Sequence, residues 1–111
     1  MEEVIEERRL FERFSARFPA KFKDSRNDYG TEVFLRDACA GGARLLSRER
    51  SFINDSLSLL VVLPDDQGPI TLNGCVVWAK PQDVMWEIGI TFHRIELLKL
   101  HRLFKFSLQE L

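Results

Sequence analysis

Hydrophobic and polar residues alternate along most of this chain, most clearly over residues 70–79 and 84–93. Successive side chains of a strand point to opposite faces, so a period of two predicts strands that bury one face. The same pattern covers residues 17–23 and 31–36. Residues 57–63 are almost continuously apolar, which predicts a strand that is covered on both faces or that closes a barrel.

Turn-forming residues separate the predicted strands. They occupy residues 26–30, the Gly41-Gly42 pair, residues 64–69 and residues 80–83. Strands at roughly even spacing with turns between them predict an all-β barrel or sandwich. Closure into a barrel would also remove the exposed strand edges through which sheets aggregate.

The hydrophobic period changes to that of a helix after residue 95. The apolar positions in this segment are Ile95, Leu97, Leu98, Leu100, Leu103, Phe104, Phe106, Leu108 and Leu111. They form a stripe wider than one barrel surface needs. We therefore expect one helix face to plug the barrel, and Leu97, Leu100 and Phe104 to form an interaction surface for a protein effector or a second copy.

The 111 residues predict a single domain. We divide it into an N-terminal arm over residues 1–14, read as a short helix or a mobile segment, a barrel over residues 15–94, and a C-terminal helix over residues 95–111. The formal net charge is only −1, which argues against binding long DNA or RNA. Any anion must therefore be held by a local cluster of basic residues.

Cys39 and Cys75 show no disulfide or metal spacing, which favours free thiols in a reducing compartment. No signal-peptide pattern is present, and no apolar run approaches the roughly 20 residues of a membrane span. A cytoplasmic protein without membrane insertion is expected. His93 and His101 lack metal-ligand spacing, and no histidine lies near Cys39 in the sequence, so neither an enzyme nor a metal site is predicted.

Arg9 and Arg13 are the first candidate binding residues. They are four positions apart, which places them on the same side of either a helix or a strand, and two like charges held together attract an anion. The alternative is a solvated helix whose arginines pair with glutamates, such as Arg8 with Glu12. The second candidate is the polar stretch over residues 36–45, read as a turn between two strands.

These stretches resemble the two motifs of the PilZ domain family. Residues 7–14 resemble its RxxxR segment, with Arg9 and Arg13 as the two arginines. Residues 37–42 resemble its (D/N)xSxxG motif, and residues 74–78 and 87–92 resemble its later strands. The resemblance covers nearly the whole chain.

The resemblance implies a six-stranded antiparallel β-barrel with a C-terminal helix, and binding of the bacterial second messenger cyclic di-GMP. By the family pattern, Arg9 and Arg13 would grip phosphates and guanine edges, and Asp37 would accept hydrogen bonds from a guanine. Gly42, beside Gly41, would let the backbone approach the ligand. In some members an arginine before RxxxR, here Arg8, accompanies binding of two stacked ligand molecules.

Cys39 is a departure from the pattern, because it holds the position of the motif serine and a thiol is a weak hydrogen-bonding group. Losing one hydrogen bond costs about 0.5–1.5 kcal/mol, which weakens binding without abolishing it. Two hypotheses follow. The first is a cyclic di-GMP receptor that signals by ordering its N-terminal arm on ligand binding and so regulates motility or biofilm formation. The second is a degenerate domain that has lost the ligand and acts through protein contacts.

Overall fold

The computed structural model of this chain describes residues 10–25, 28–65 and 67–109. Within these ranges the chain forms mostly strands, followed by one C-terminal helix. The elements are β1 Phe14–Ser15, β2 Pro19–Lys23, β3 Asp28–Cys39, β4 Gly42–Ser47, β5 Ser56–Val61, β6 Ile70–Gln82, β7 Met85–Phe92 and α1 Leu97–Gln109.

Six of the strands close into an antiparallel barrel. Their order around the barrel is β3-β2-β5-β6-β7-β4, and pairing of β4 with β3 completes the ring. The two-residue strand β1 pairs with the end of β3 beyond the β2 contact. The predicted six-stranded antiparallel barrel with a C-terminal helix is therefore confirmed.

The barrel interior is filled by alternate side chains of the strands, as the period of two predicted. Val33, Leu35, Leu45, Leu59 and Ile88 are each at most 1% exposed. Leu57, Leu59 and Val61 of β5 are buried, while Ser58 and Leu60 between them are half-buried. The continuous apolar run thus forms an ordinary barrel strand.

Helix α1 packs against the same core. Leu100 and Leu103 are fully buried, and Phe104 is 8% exposed. Polar contacts fix the helix to the β5–β6 region: Lys99 Nζ donates to the Thr71 carbonyl at 2.7 Å, and Arg102 Nη2 lies 2.9 Å from Asp65 Oδ1. Because Leu100 and Phe104 are buried within this chain, they offer no exposed interaction surface here. Leu97, the third residue of the predicted surface, is partly buried, and among the described side chains of this segment Leu98 and Ile95 are exposed.

Three predicted turns are shorter in the structure. Strand β6 continues through Gln82, so residues 80–82 of the predicted turn over residues 80–83 pair with β7. Strand β3 begins at Asp28, so Tyr29 and Gly30 belong to a strand instead of the expected turn, and Tyr29 has a φ of 57°. Strand β3 also continues through Cys39, so Asp37 lies in a strand. Pairing with β1 on one side and β4 on the other keeps that end of β3 extended.

Candidate functional site

Asp37 is a buried carboxylate to which two arginines bind. Arg13 Nη1 donates to Asp37 Oδ1, and Arg44 Nη2 donates to Asp37 Oδ2 at 2.5 Å. A carboxylate accepts two guanidinium donors well because charge-assisted hydrogen bonds are short and strong. Both carboxylate oxygens are therefore occupied by protein donors in this conformation.

Strand pairing brings these three residues together. Asp37 lies opposite Ser15 of β1 and opposite Arg44 of β4. Arg13 precedes Ser15 by two positions and reaches the carboxylate from the β1 side. The expected meeting of Arg13 with Asp37, 24 positions apart in the sequence, is therefore present. The predicted partners Arg8 and Arg9 lie outside the described residues.

A cleft of about 230 Å³ lies beside Asp37. It is lined by Arg13, Phe14, Ser15, Arg17, Arg36, Asp37 and Arg44. Four arginines around one carboxylate make a locally positive surface on a chain whose net charge is −1. Such a cluster attracts an anion without any overall basic charge.

The charges continue across the neighbouring strands. Arg44 Nη1 lies 3.7 Å from Glu87 Oε2, and Lys80 Nζ lies 3.3 Å from Glu87 Oε1. Glu87 is buried although it alternates with the core residue Ile88. A row of alternating charge thus runs from Asp37 through Arg44 and Glu87 to Lys80.

Gly42, the glycine of the second motif, is in close contact with strand β7. A Cβ atom at this position would lie 2.2 Å from the carbonyl oxygen of Ile90. Barrel closure therefore requires glycine here independently of any ligand. Gly41 is different: a Cβ atom there would meet nothing within 4 Å, and its carbonyl accepts a hydrogen bond from the Phe92 amide at 2.9 Å.

Cys39 lies two positions after Asp37 on the same strand, so both side chains point to the same face of β3. Its side chain is half-buried, and it is a free thiol. It pairs with Gly42 across the short turn. The residues that the motif predicted thus share one end of the β3–β4 hairpin with the basic cleft.

Arg17 was not expected at the site, and Arg36 and Arg44 lay within the predicted stretch over residues 36–45 without being given a binding role. A two-residue turn at residues 40–41 pairs Cys39 with Gly42 and places Arg44 opposite Asp37. The hairpin register is set by the length of its turn, so the position of Arg44 could have been read from the sequence. Trp78 also lies on this outer face: it packs over Gly89, which is paired with Arg44.

Among the residues that the structure describes, no group of three or more His, Cys, Asp or Glu side chains could hold a metal ion. Helix α1 is too short and too polar to cross a membrane, and the described ranges contain no longer apolar helix.

Comparison with known families assigns the chain to one of them. The model of a family described as PilZ domain matches residues 7–109. The chain belongs to the PilZ domain family. This confirms the resemblance noted from the motifs. PilZ domains are receptor or adaptor modules of a cyclic di-GMP receptor family.

A solved PilZ structure has a similar fold. The structure of the Bacillus subtilis inhibitor of motility (MotI/DgrA) superposes with a TM-score of 0.63 and 16% sequence identity. The match covers 88% of this chain and 48% of that protein, so this chain spans about half its length. At this identity the likeness shows the fold. No curated protein matches this PilZ chain.

Proposed function

We propose that this PilZ domain is a cyclic di-GMP receptor whose ligand lies in the basic cleft beside Asp37. The observation that carries the proposal is the meeting of Arg13, from the first motif, with Asp37, from the second, at a cleft lined by arginines. Arg9 and Arg8 would join from the N-terminal arm. Cys39, Gly41 and Gly42 would border the ligand from the hairpin.

The proposed chemistry fits a guanine dinucleotide. A carboxylate such as Asp37 can accept from the N1–H and N2–H donors of a guanine. An arginine fork can donate to a phosphate or to the O6 and N7 atoms of a guanine. Lysines would serve less well, because an ammonium group lacks the planar pair of donors. Among the described residues, the lining of the cleft contains arginines and no lysine.

Ligand binding on this account is an exchange of partners. In this proposal the Arg13–Asp37 ion pair opens so that Asp37 can bind a guanine and Arg13 can bind the ligand. Leu10 and Phe14 already pack against the barrel, so the predicted ordering of the arm over residues 1–14 would concern the part before Leu10, and this change would be the signal. We place this signalling in the cytoplasm, with motility or biofilm formation as the regulated process that the family implies.

Isothermal titration calorimetry of the purified chain with cyclic di-GMP tests the proposal. We expect saturable binding to the wild type, loss of binding in Arg13→Ala, and wild-type binding in Arg48→Ala. Arg48 is an exposed arginine just beyond the far end of β4, so it controls for the loss of one positive charge. Cyclic di-AMP tests selectivity, because its adenines lack the N1–H donor. A titration of the wild type without heat, together with an unchanged thermal melting curve, would refute the proposal.

A degenerate domain acting through protein contacts is the second candidate. It is favoured by Cys39 at the serine position and by the protein donors that already occupy both oxygens of Asp37. This candidate predicts no response to cyclic di-GMP. It also predicts a complex or self-association in which Leu98→Asp, on the exposed side of α1, weakens assembly. Analytical ultracentrifugation and pull-down with this variant separate it from the receptor.

A further inference from the structure

We infer that Arg44 is a third ligand-binding arginine of this site, outside both motifs, whose guanidinium binds a ligand phosphate when a guanine occupies the Asp37 carboxylate. The inference rests on the proposed function. It adds a residue and a binding geometry to the site.

The first step of the argument is the occupancy of Asp37. A guanine that donates through N1–H and N2–H needs both carboxylate oxygens, and Arg44 Nη2 holds Oδ2 at 2.5 Å. Each carboxylate oxygen can accept two hydrogen bonds, so a guanine bound there would share Oδ2 with Arg44 and weaken the Arg44 bond. The Arg44 guanidinium then has donors to offer to a second acceptor.

The second step is that Arg44 cannot retreat from the cleft. Its strand is hydrogen-bonded to β3 on one side and to β7 on the other. Asp37 of β3 and Gly89 of β7 both lie opposite Arg44. The backbone of Arg44 is thus fixed in the closed barrel. Its side chain is 37% exposed and lines the cleft, so the guanidinium stays beside the ligand position.

The third step is that the described residues leave donors of Arg44 without a good acceptor. Glu87 lies 3.7 Å from Arg44 Nη1, but Lys80 Nζ lies closer to the same carboxylate, at 3.3 Å. The Nε atom of Arg44 is buried and has no hydrogen-bond partner. A buried donor without an acceptor is unfavourable, and an anionic oxygen from the ligand would satisfy it.

The chemical class of the acceptor follows from the shape of the guanidinium group. Nε–H and the neighbouring Nη–H form a flat pair of donors that matches two oxygens of a phosphate. A phosphodiester bound there would accept one hydrogen bond from Nε–H and one from the neighbouring Nη–H. A lysine could supply the charge but not the paired donors.

Calorimetry on three variants tests the role of Arg44. We expect Arg44→Gln to weaken cyclic di-GMP binding by roughly tenfold to a hundredfold, the range for one bidentate contact to the ligand. Arg44→Lys should fall between this variant and the wild type. Arg48→Gln, which loses the same charge beyond the end of the same strand, should bind within about twofold of the wild type. Thermal melts establish that each variant is folded. If Arg44→Gln does not fold, the affinity of Arg44→Lys decides the question.

The Nε–H signal of Arg44 gives a second, direct readout. In a ¹H–¹⁵N spectrum of arginine side chains, this signal is assigned by its absence in Arg44→Lys. We expect it to shift on addition of cyclic di-GMP, as the proton gains an acceptor. A stationary signal in a saturated sample, or an Arg44→Gln variant that binds as tightly as the wild type or more tightly, would overturn the inference.

The outcomes separate this inference from the function on which it rests. If the wild type binds and Arg13→Ala does not, while Arg44→Gln binds normally, only the role of Arg44 fails. If the wild type does not bind cyclic di-GMP, the receptor function fails, and the inference fails with it.

Discussion

The ring of Phe14 meets the ring of Phe104 edge to face, with centroids 5.1 Å apart and ring planes at 82°. Phe14 directly follows Arg13 in the sequence and belongs to β1, whereas Phe104 lies on the C-terminal helix. This contact joins the segment that carries a candidate ligand-binding arginine to an element from the other end of the chain. The position of β1, and with it Arg13, therefore depends on the docked helix.

Substitution of Phe14 by alanine should both destabilise the fold and weaken ligand binding. Loss of a half-buried ring and of its aromatic pair is expected to lower the free energy of unfolding by about 1–3 kcal/mol. Affinity for cyclic di-GMP should also fall, because β1 no longer holds Arg13 beside Asp37. Urea denaturation and calorimetry measure the two effects. Phe11→Ala is the matched control, since Phe11 is 57% exposed and should change stability by less than about 0.5 kcal/mol. Equal effects of the two substitutions would contradict the coupling.

The two adjacent motif glycines should respond differently to alanine. At Gly42 the added methyl group would collide with the Ile90 carbonyl, 2.2 Å away, and opening the β4–β7 contact should cost about 2–3 kcal/mol. At Gly41 the methyl group would enter open space, and the change should stay within about 0.5 kcal/mol. Thermal melts of both variants make the comparison. If Gly42→Ala melts like the wild type and loses only ligand binding, the barrel explanation for this glycine is wrong.

Restoring the motif serine should strengthen binding. Cys39→Ser replaces a weak hydrogen-bonding thiol with a hydroxyl on the same face as Asp37, and one added hydrogen bond of about 0.5–1.5 kcal/mol corresponds to an affinity gain of up to roughly tenfold. Cys75→Ser is the control, because Cys75 is also a half-buried free cysteine but lies on β6. Calorimetry at a fixed salt concentration compares the two. Unchanged affinity in Cys39→Ser would show that this position does not touch the ligand.

The barrel could be predicted from the sequence because its strands have one polar and one apolar face. Strands β6 and β7 match the two clearest alternating runs, and the predicted turn over residues 64–69 lies between β5 and β6. Strand β1 could not be predicted in this way. It contains only Phe14 and Ser15, so no periodic pattern can mark it, and its pairing with Ala38 and Asp37 depends on the rest of the fold.

The candidate site was predictable where the family motifs gave the residues, and incompletely elsewhere. Arg13 and Asp37 were expected to meet and do so. The position of Arg44 opposite Asp37 follows from the short turn between β3 and β4, whereas the burial of Glu87 required the positions of Arg44 and Lys80 on neighbouring strands. Contacts between strands far apart in sequence are set by closure of the barrel, which no local pattern encodes.

The docked face of the helix was the least predictable feature, because its apolar stripe is wide enough to allow two orientations. The structure buries Leu100 completely and leaves Leu98 at 86% exposed, although the two residues are only two positions apart. We predict that Leu100→Ala lowers the free energy of unfolding by about 2–5 kcal/mol and that Leu98→Ala changes it by less than about 0.5 kcal/mol. Denaturant titration followed by far-ultraviolet circular dichroism measures both variants. A large effect at Leu98 with a small one at Leu100 would mean that the helix docks through its other face. In that case Leu100 would again be available to a partner protein.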